Sequence, residues 1–176
     1  MQNIPYEIER KFLIKYPDTA ILKKLPGAVV KEIVQTYLLC DTGSLRVRKT
    51  TCDGKTVYHK NEKRRVSDMT HEEYESKISE EEYSALLRLS DPERLPVEKT
   101  RFAVSYLGHT AEIDVYPFWK DKAILEIELE NENETFEIPP FVEMIREVTG
   151  EKEFSNREIA RQLKVQKSRR VYENTD

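Results

Sequence analysis

The chain is poor in cysteine, histidine and continuous apolar sequence, and each shortage argues against a class of protein. Its two cysteines, Cys40 and Cys52, form no CxxC pair, so we expect reduced thiols in a cytoplasmic protein rather than a disulfide framework. The three histidines are scattered, which disfavours a zinc site built from them. No segment reaches the roughly 20 apolar residues of a membrane span, and the charged N-terminal segment does not resemble a signal peptide. We therefore expect no membrane partner.

A large net charge is also missing. The formal charge is −4 although 35% of the residues are charged, and nucleic-acid binding usually needs a basic excess, so we expect no nucleic-acid partner. Nine tyrosines, six phenylalanines and a regular apolar pattern distinguish the chain from a disordered one. Its 176 residues suffice for one compact domain. We expect a single domain over residues 1–176, with a polar and loosely ordered tail at 164–176.

Most of the chain up to about residue 130 alternates between apolar and polar residues, which predicts strands separated by turns. Turn sequences such as Cys52-Asp53-Gly54 suit hairpins, because Gly, Asn and Asp tolerate positive φ. Short connections favour an antiparallel sheet that is closed or strongly curled, so the expected fold class is α+β with an eight-stranded antiparallel β-barrel. The predicted strands cover roughly residues 4–14, 28–40, 43–50, 55–63, 69–78, 93–107, 110–119 and 123–130.

Four short helices are predicted between or after these strands, at roughly 18–25, 79–89, 141–148 and 155–163. Two of them begin with a capping box, in which a Ser side chain caps the first turn and a Glu three residues later reaches back. These boxes start at Ser79 and Ser155. Gly150 suits the C-terminal cap of the third helix.

Charged residues recur two positions apart along the predicted strands. Residues i and i+2 of a strand point to the same face, so each set projects side by side. Apolar residues stand between them, as Leu125 and Ile127 do around Glu126, so nearly every strand has one ionised and one apolar face. The sets are Glu7-x-Glu9-x-Lys11, Arg46-x-Arg48, Glu73-x-Glu75, Lys99-x-Arg101, Glu112-x-Asp114 and Glu126-x-Glu128.

This alternation allows two architectures. The usual one buries the apolar faces and leaves the charges in solvent. The other turns the charged faces into a wide barrel whose apolar outside is covered by helices. Three features favour the second: like charges are paired within strands, long charged residues stand where Thr or Ser would serve a solvent face better, and the predicted helices can cover a barrel. Concentrated like charges cost stability, so this interior needs a highly charged ligand.

The segment Glu7-Ile8-Glu9-Arg10-Lys11-Phe12 resembles the ExExK signature of the CYTH superfamily, the triphosphate tunnel metalloenzymes. The resemblance extends over residues 6–160 and implies an eight-stranded antiparallel barrel with a tunnel, Mg²⁺ or Mn²⁺ as cofactor, and a small molecule carrying a triphosphate as substrate. Further segments resemble the family's strands and its last helix in the expected order: Gln35-x-Tyr37-Leu38, Leu45-Arg46-Val47-Arg48, Lys60, Glu73-Tyr74-Glu75, Lys99-Thr100-Arg101, Ile113-Asp114-Val115, Leu125-Glu126-Ile127-Glu128 and Ser155-Asn156.

The resemblance suggests a role for each charged set. Because the eight candidate acids outnumber the six candidate cations, metal and phosphate chain should bind interdependently, and oxygen ligands suit Mg²⁺ or Mn²⁺. Catalytic candidates are Glu7, Glu9 and Lys11. Metal-ligand candidates are Glu126, Glu128, Glu7 and Glu9, with Asp114 as a weaker one. Phosphate-binding candidates are Lys11, Arg46, Arg48, Lys60, Lys99 and Arg101. Glu73, Glu75 and Glu112 are expected to support them.

The activity expected first is hydrolysis of inorganic tripolyphosphate by water attack on the terminal phosphate, because the chain shows no appended module and no obvious base-binding insertion. The family that it resembles also includes thiamine triphosphatases, RNA triphosphatases and class IV adenylate cyclases, and a thiamine triphosphatase or a cyclase is the alternative. A sensor that binds polyphosphate or nucleotide without catalysis is a third hypothesis, although a pure binder has less need of so many acids.

Overall fold

The computed structural model describes residues 5–173, which form nine strands and three α-helices. The strands are β1 Tyr6–Lys15, β2 Val29–Leu38, β3 Ser44–Cys52, β4 Lys55–Arg65, β5 Thr70–Ile78, β6 Val97–Tyr106, β7 His109–Val115, β8 Lys122–Glu128 and β9 Met144–Glu147. The helices are α1 Thr19–Leu22, α2 Glu80–Leu86 and α3 Asn156–Glu173, with 3₁₀ turns at Leu87–Leu89 and Lys152–Phe154. No helix within these residues is long and apolar enough to cross a membrane.

The first eight strands close into an antiparallel barrel. The sheet runs β5-β4-β3-β2-β6-β7-β8-β1, and β1 then pairs with β5 through Glu7 opposite His71. At the β3–β4 hairpin, Asp53 and Gly54 both adopt positive φ (48° and 74°), as a two-residue turn of this kind requires. The eight-stranded antiparallel barrel expected from the sequence is confirmed.

The apolar strand faces lie outside the barrel. Val47, which is fully buried, packs with Ile78 against Tyr83 of α2. Around β1, β6, β7 and β8, a second apolar cluster is covered by the loop side chains Phe136 and Phe141. Each large side chain buried in this way contributes about 1.5–3 kcal/mol to folding. These clusters account for the apolar faces, so the charged faces are left to the interior, as the second architecture requires.

An apolar layer closes one end of the charged interior. Leu13 lies two residues after Lys11 on β1, and Ile124, its partner across the sheet, lies two residues before Glu126 on β8. Both belong to an apolar cluster that includes Ile159 of α3. The first turn of α3 is capped by Ser155, whose Oγ accepts a hydrogen bond from the Glu158 amide at 3.2 Å. The capping box therefore marks the start of the helix correctly.

Two local predictions are wrong. Residues 141–148 contain strand β9 rather than a helix. Strand β1 pairs with β5 only as far as Ile8, so its edge is open beyond that residue, and β9 pairs with residues 12–14 of this open edge. The helix predicted at roughly 155–163 is too short, because α3 continues to Glu173 and includes residues 164–173 of the predicted tail, whose loose order stays a prediction. The remainder of that tail, 174–176, lies outside the described residues.

Candidate active site

A cavity of about 430 Å³ occupies the charged interior. Its lining comes from β1, β2, β3, β4, β5, β6 and β8, from the β4–β5 turn, and from residues between 148 and 157 that lead into α3. The start of α3 borders this cavity through Ser155, Asn156 and Arg157. The N-terminal end of a helix favours negative charge. Tyr116 fixes this segment by donating a hydrogen bond to Asn156 Oδ1 at 2.7 Å.

Strand β1 contributes Glu7, Glu9 and Lys11 to one face of the cavity, as its alternation predicts. The Lys11 ammonium lies 2.9 Å from Glu126 Oε1 and 3.6 Å from Glu9 Oε1. Burial alone would lower the pKa of Lys11, but the carboxylates of Glu126 and Glu9 outweigh it and raise that pKa. Lys11 is therefore a fixed positive charge at the centre of the site.

Strands β6, β7 and β8 carry a dense set of ion pairs, which we call the β6–β8 side: Lys99, Arg101, Glu112, Asp114 and Glu126. Arg101 Nε lies 2.6 Å from Asp114 Oδ1, its Nη2 lies 2.6 Å from Glu126 Oε2, and its Nη1 contacts Glu112. Lys99 contacts the second Asp114 oxygen. Although burial alone would raise the pKa of Glu126, the cations of Lys11 and Arg101 hold it well below its usual range.

The opposite set, the β3–β5 side, comprises Arg46, Arg48, Asn61, Lys63, His71, Glu73 and Glu75. Asn61 Nδ2 donates to Glu73 at 2.7 Å and to Glu75 at 2.6 Å. Arg46 Nη2 lies 3.2 Å from Glu73, and Arg48 contacts Glu75. Glu73 and Glu75 thus contact the two arginines, and the supporting role expected of them stays a prediction.

Buried polar atoms on the β3–β5 side lack hydrogen-bond partners. Within the described residues these include the Nε atoms of Arg46 and Arg48 and the Nδ1 atom of His71, whereas no such atom lies on β6, β7 or β8. Burial and the neighbouring Arg46 charge also lower the pKa of Arg48. Buried donors without partners cost stability unless a ligand supplies an acceptor. The unpartnered guanidinium donors of Arg46 and Arg48 are therefore suited to an anion.

The structure corrects one predicted phosphate ligand, Lys60. It lies opposite Val47 and Ser76 in the sheet, on the outer face of β4, and does not line the cavity. The inward lysine of β4 is Lys63, whose ammonium contacts Glu7 and lies 3.8 Å from Glu9. The run His59–Arg65 carries charge on both faces of the strand, so its alternation could not identify the inward lysine.

Five predicted acids do not line the main cavity: Glu73 and Glu75, whose contacts are described above, and Asp114, Glu112 and Glu128. Asp114 is fully buried, and its oxygens are taken by Lys99 and Arg101, so it positions cations rather than offering a free metal ligand. Glu112 contacts Arg101 in the same way. Glu128 pairs with Glu9 across the sheet but is exposed at the end of β8, where it lines a second cavity that Glu7 also borders.

Two groups at the meeting of β1 and β5 have strongly shifted pKa values. Burial raises the pKa of Glu7 to about 7, against the effect of the Lys63 ammonium. Burial, together with Lys63, lowers the pKa of His71 to about 4, so its imidazole is neutral at physiological pH. Sequence reasoning missed His71, because a single histidine on a strand has no partner within reach of a spacing rule.

The donor set fits a hard divalent cation. Carboxylates of Glu7, Glu9 and Glu126 all line the cavity, and Mg²⁺ and Mn²⁺ prefer such oxygen ligands. Burial, and to a smaller extent the Glu9 and Glu73 carboxylates, raise the pKa of Glu7, so the Lys63 ammonium does not supply enough compensating positive charge. A divalent ion would supply that charge.

Comparison with known proteins gives a consistent result. The family model described as the CYTH domain matches residues 5–172. The solved structure of the inorganic triphosphatase NE1496 is 26% identical over 88% of this chain and 94% of that one, with a TM-score of 0.51. A second NE1496 structure, described as a hypothetical protein, is 28% identical over 88% and 97% of the two chains, with a TM-score of 0.54. PH1012 from Pyrococcus horikoshii OT3, at 22% identity over 94% and 89% and a TM-score of 0.52, shares the fold. No curated protein sequence matches the chain.

Proposed function

The chain belongs to the CYTH family, and from this premise we propose that it is a divalent-metal-dependent hydrolase of inorganic tripolyphosphate. Similarity to the structure named as an inorganic triphosphatase supports the hydrolysis of a triphosphate in general. The narrower assignment to an inorganic substrate rests on the cavity itself.

One observation carries the proposal: buried, unpartnered arginine donors face a cavity that carboxylates also line. The Nε atoms of Arg46 and Arg48 lack acceptors, and Glu7 and Glu9 line the same space. A phosphate chain supplies acceptors to arginine and, through a divalent cation, compensates the acids. An anion alone would leave the carboxylates uncompensated, and a cation alone would leave the arginine donors without acceptors.

The basic residues would bind and orient the phosphate chain. Arg46 and Arg48 can offer bidentate contacts to phosphate oxygens, while Lys11, Lys63, Lys99 and the paired Arg101 act as fixed positive charges. Such fixed positive groups stabilise the charge on the equatorial oxygens of a phosphoryl group in transfer. Asp114 and Glu112 hold Arg101 in place, so little reorganisation is needed when substrate enters.

Glu7, Glu9 and Glu126 would hold the divalent cation, which when bound neutralises charge on the phosphate oxygens. Glu7 or Glu9 would also orient the attacking water by accepting its hydrogen bond, and Lys11 would contact the terminal phosphate. The oxygen of this water attacks the terminal phosphorus, the bridging P–O bond breaks, and phosphate and pyrophosphate leave.

The lining favours an inorganic substrate over an organic triphosphate. The aromatic side chains along the cavity are Tyr37 and His71, and the Tyr37 hydroxyl accepts a hydrogen bond from Gln35 Nε2 at 2.7 Å in a buried position. Trp119, which could stack on a base or thiazole, instead packs against Tyr116 with ring centroids 4.9 Å apart. Thiamine triphosphatase and adenylate cyclase activity therefore have less support.

The test is to incubate the purified protein with Mg²⁺ or Mn²⁺ and, in parallel, tripolyphosphate, thiamine triphosphate or ATP, and to identify the products. We expect fastest turnover of tripolyphosphate, with one phosphate and one pyrophosphate released per molecule. Cyclic AMP from ATP would make the protein a cyclase, and tight binding without turnover would make it a sensor.

Matched variants connect this activity to the cavity. Arg48→Gln removes an inward arginine of β3, and Arg64→Gln removes an exposed arginine on the outer face of β4. We expect the first to raise the KM for tripolyphosphate at least about tenfold, the scale of one charge-assisted contact, and the second to leave it unchanged. Equal effects would separate the activity from the barrel interior.

A further inference from the structure

His71 lies where β1 meets β5 and has no part in the mechanism above. It pairs directly with Glu7 across the sheet, and its ring lines the cavity. Residues paired across antiparallel strands project from the same face, so the imidazole stands beside the Glu7 carboxylate.

The ligand atoms of three side chains converge at this point. One carboxylate oxygen each from Glu7 and Glu9 and one ring nitrogen of His71 all lie within 4.8 Å of one another. Two ligands on opposite sides of one ion, each bonded at about 2.1 Å, are separated by about 4.2 Å. Small side-chain rotations would therefore bring all three onto a single ion.

Two further observations point to a cation here. His71 Nδ1 is buried without a hydrogen-bond partner, so a ring nitrogen remains available. The Lys63 ammonium contacts Glu7 and lies 3.8 Å from Glu9, which shows that this group of acids accepts a positive charge. A metal ion would replace that ammonium and release Lys63 toward the phosphate chain.

We propose that Glu7, Glu9 and His71 form a mixed oxygen and nitrogen site that selects a first-row transition-metal ion over Mg²⁺. The inference rests on the proposed function, because it adds a nitrogen ligand to the cation expected at Glu7 and Glu9. Nitrogen ligands favour transition-metal ions, whereas Mg²⁺ prefers oxygen and keeps its waters. The His71 imidazole thus determines the metal preference of this site.

The experiment uses Mn²⁺ alone as the probe, with pulsed electron paramagnetic resonance on the full chain. We expect ¹⁴N hyperfine coupling in the wild-type protein, replaced by ¹⁵N coupling when the histidines are labelled with ¹⁵N. In His71→Ala the nitrogen coupling should vanish and Mn²⁺ affinity should fall by about tenfold or more, with Mg²⁺ affinity little changed. The labelled wild-type sample identifies histidine ligation even if the variant folds poorly.

His59→Ala is the matched control, because His59 lies on the neighbouring strand but outside the three-residue group. It should keep both the coupling and the Mn²⁺ affinity. Absence of Mn²⁺ binding, absence of nitrogen coupling in the wild-type protein, or coupling that survives in His71→Ala overturns the inference.

Tripolyphosphate hydrolysis with Mg²⁺ is measured on the same preparation. Hydrolysis without nitrogen coupling would remove His71 from the metal site and leave the proposed function standing. Nitrogen coupling without hydrolysis under any metal would contradict the proposed function and leave His71 as a metal ligand.

Discussion

The β6–β8 side and the β3–β5 side of the barrel use the same kinds of residue in different ways. On the first, Arg101 contacts three carboxylates, and in the described part of the chain no buried polar side-chain atom of β6, β7 or β8 lacks a partner. On the second, Arg46 and Arg48 each keep a buried Nε without an acceptor. A charged network that is fully paired rigidifies the fold, whereas one with spare donors is ready for a ligand. Mutations on the two sides should therefore separate stability from activity.

The largest expected effect is the loss of stability in Asp114→Asn. Asp114 is fully buried between Lys99 and Arg101, so removal of its charge leaves two buried cations without their main counter-ion. We expect the free energy of unfolding to fall by about 3–5 kcal/mol, measured by urea denaturation. Arg48→Gln should change it by less than about 1 kcal/mol, because Arg48 is already poorly compensated. Similar losses in both variants would abolish the distinction between the two sides.

Glu126→Gln tests whether the β6–β8 side takes part in the reaction. Glu126 lines the cavity and contacts both Lys11 and Arg101, so the neutral amide removes one major electrostatic element. We expect turnover to fall at least about a hundredfold, or about 2.7 kcal/mol in activation free energy, and the dependence on metal concentration to weaken. Glu128→Gln, at the exposed end of β8, should lose less. Near-normal turnover in the first variant would remove Glu126 from the site.

Glu73 provides a test by pH. Burial alone would raise its pKa, but Arg46 and Lys63 lower it to about 2, against 4.5 for the free group. Between these values the unfolded chain binds more protons than the folded one, so the stabilising contribution of Glu73 is present above pH 4.5 and is lost as the pH falls toward 2. We expect the stability difference between the wild-type protein and Glu73→Gln to shrink by about 1–2 kcal/mol from pH 5 to pH 3. Urea denaturation at both values measures it, and a constant difference would contradict the ion pairing.

Lys63 and Lys60, two of the lysines of β4, provide the finest comparison. Lys63→Ala removes a cation that lines the cavity, and Lys60→Ala removes one from the outer face of the same strand. We expect kcat/KM for tripolyphosphate to fall about tenfold in the first, equal to about 1.4 kcal/mol, and to stay within about twofold in the second. Steady-state kinetics at fixed metal concentration measure both. A larger loss in the Lys60 variant would mean that the strand register is shifted by one residue in solution.

Alternation of charge predicted the two faces of each strand, and the pairing of like charges, the long charged residue types and the predicted helices together favoured a barrel with a charged interior. Sets such as Glu7-x-Glu9-x-Lys11 and Lys99-x-Arg101 obey the period of a strand, so their members share a face whatever the tertiary arrangement. The predicted helix at 141–148, by contrast, is wrong, and the reason lies in contacts between distant parts of the chain. Its sequence becomes strand β9 because the open edge of β1 offers backbone hydrogen bonds, and local propensity carries no information about that edge.

By itself, the sequence determined that the strands have one charged and one apolar face and where the turns between them fall, because both depend on near neighbours in the chain. The tertiary structure alone decided that Lys63 rather than Lys60 lines the cavity and that His71 lies beside Glu7 and Glu9. It also decided that both carboxylate oxygens of Asp114 are paired with Lys99 and Arg101. These outcomes depend on the pairing of strands far apart in sequence. That pairing is set by barrel closure and by packing of the whole apolar surface, which no local pattern encodes.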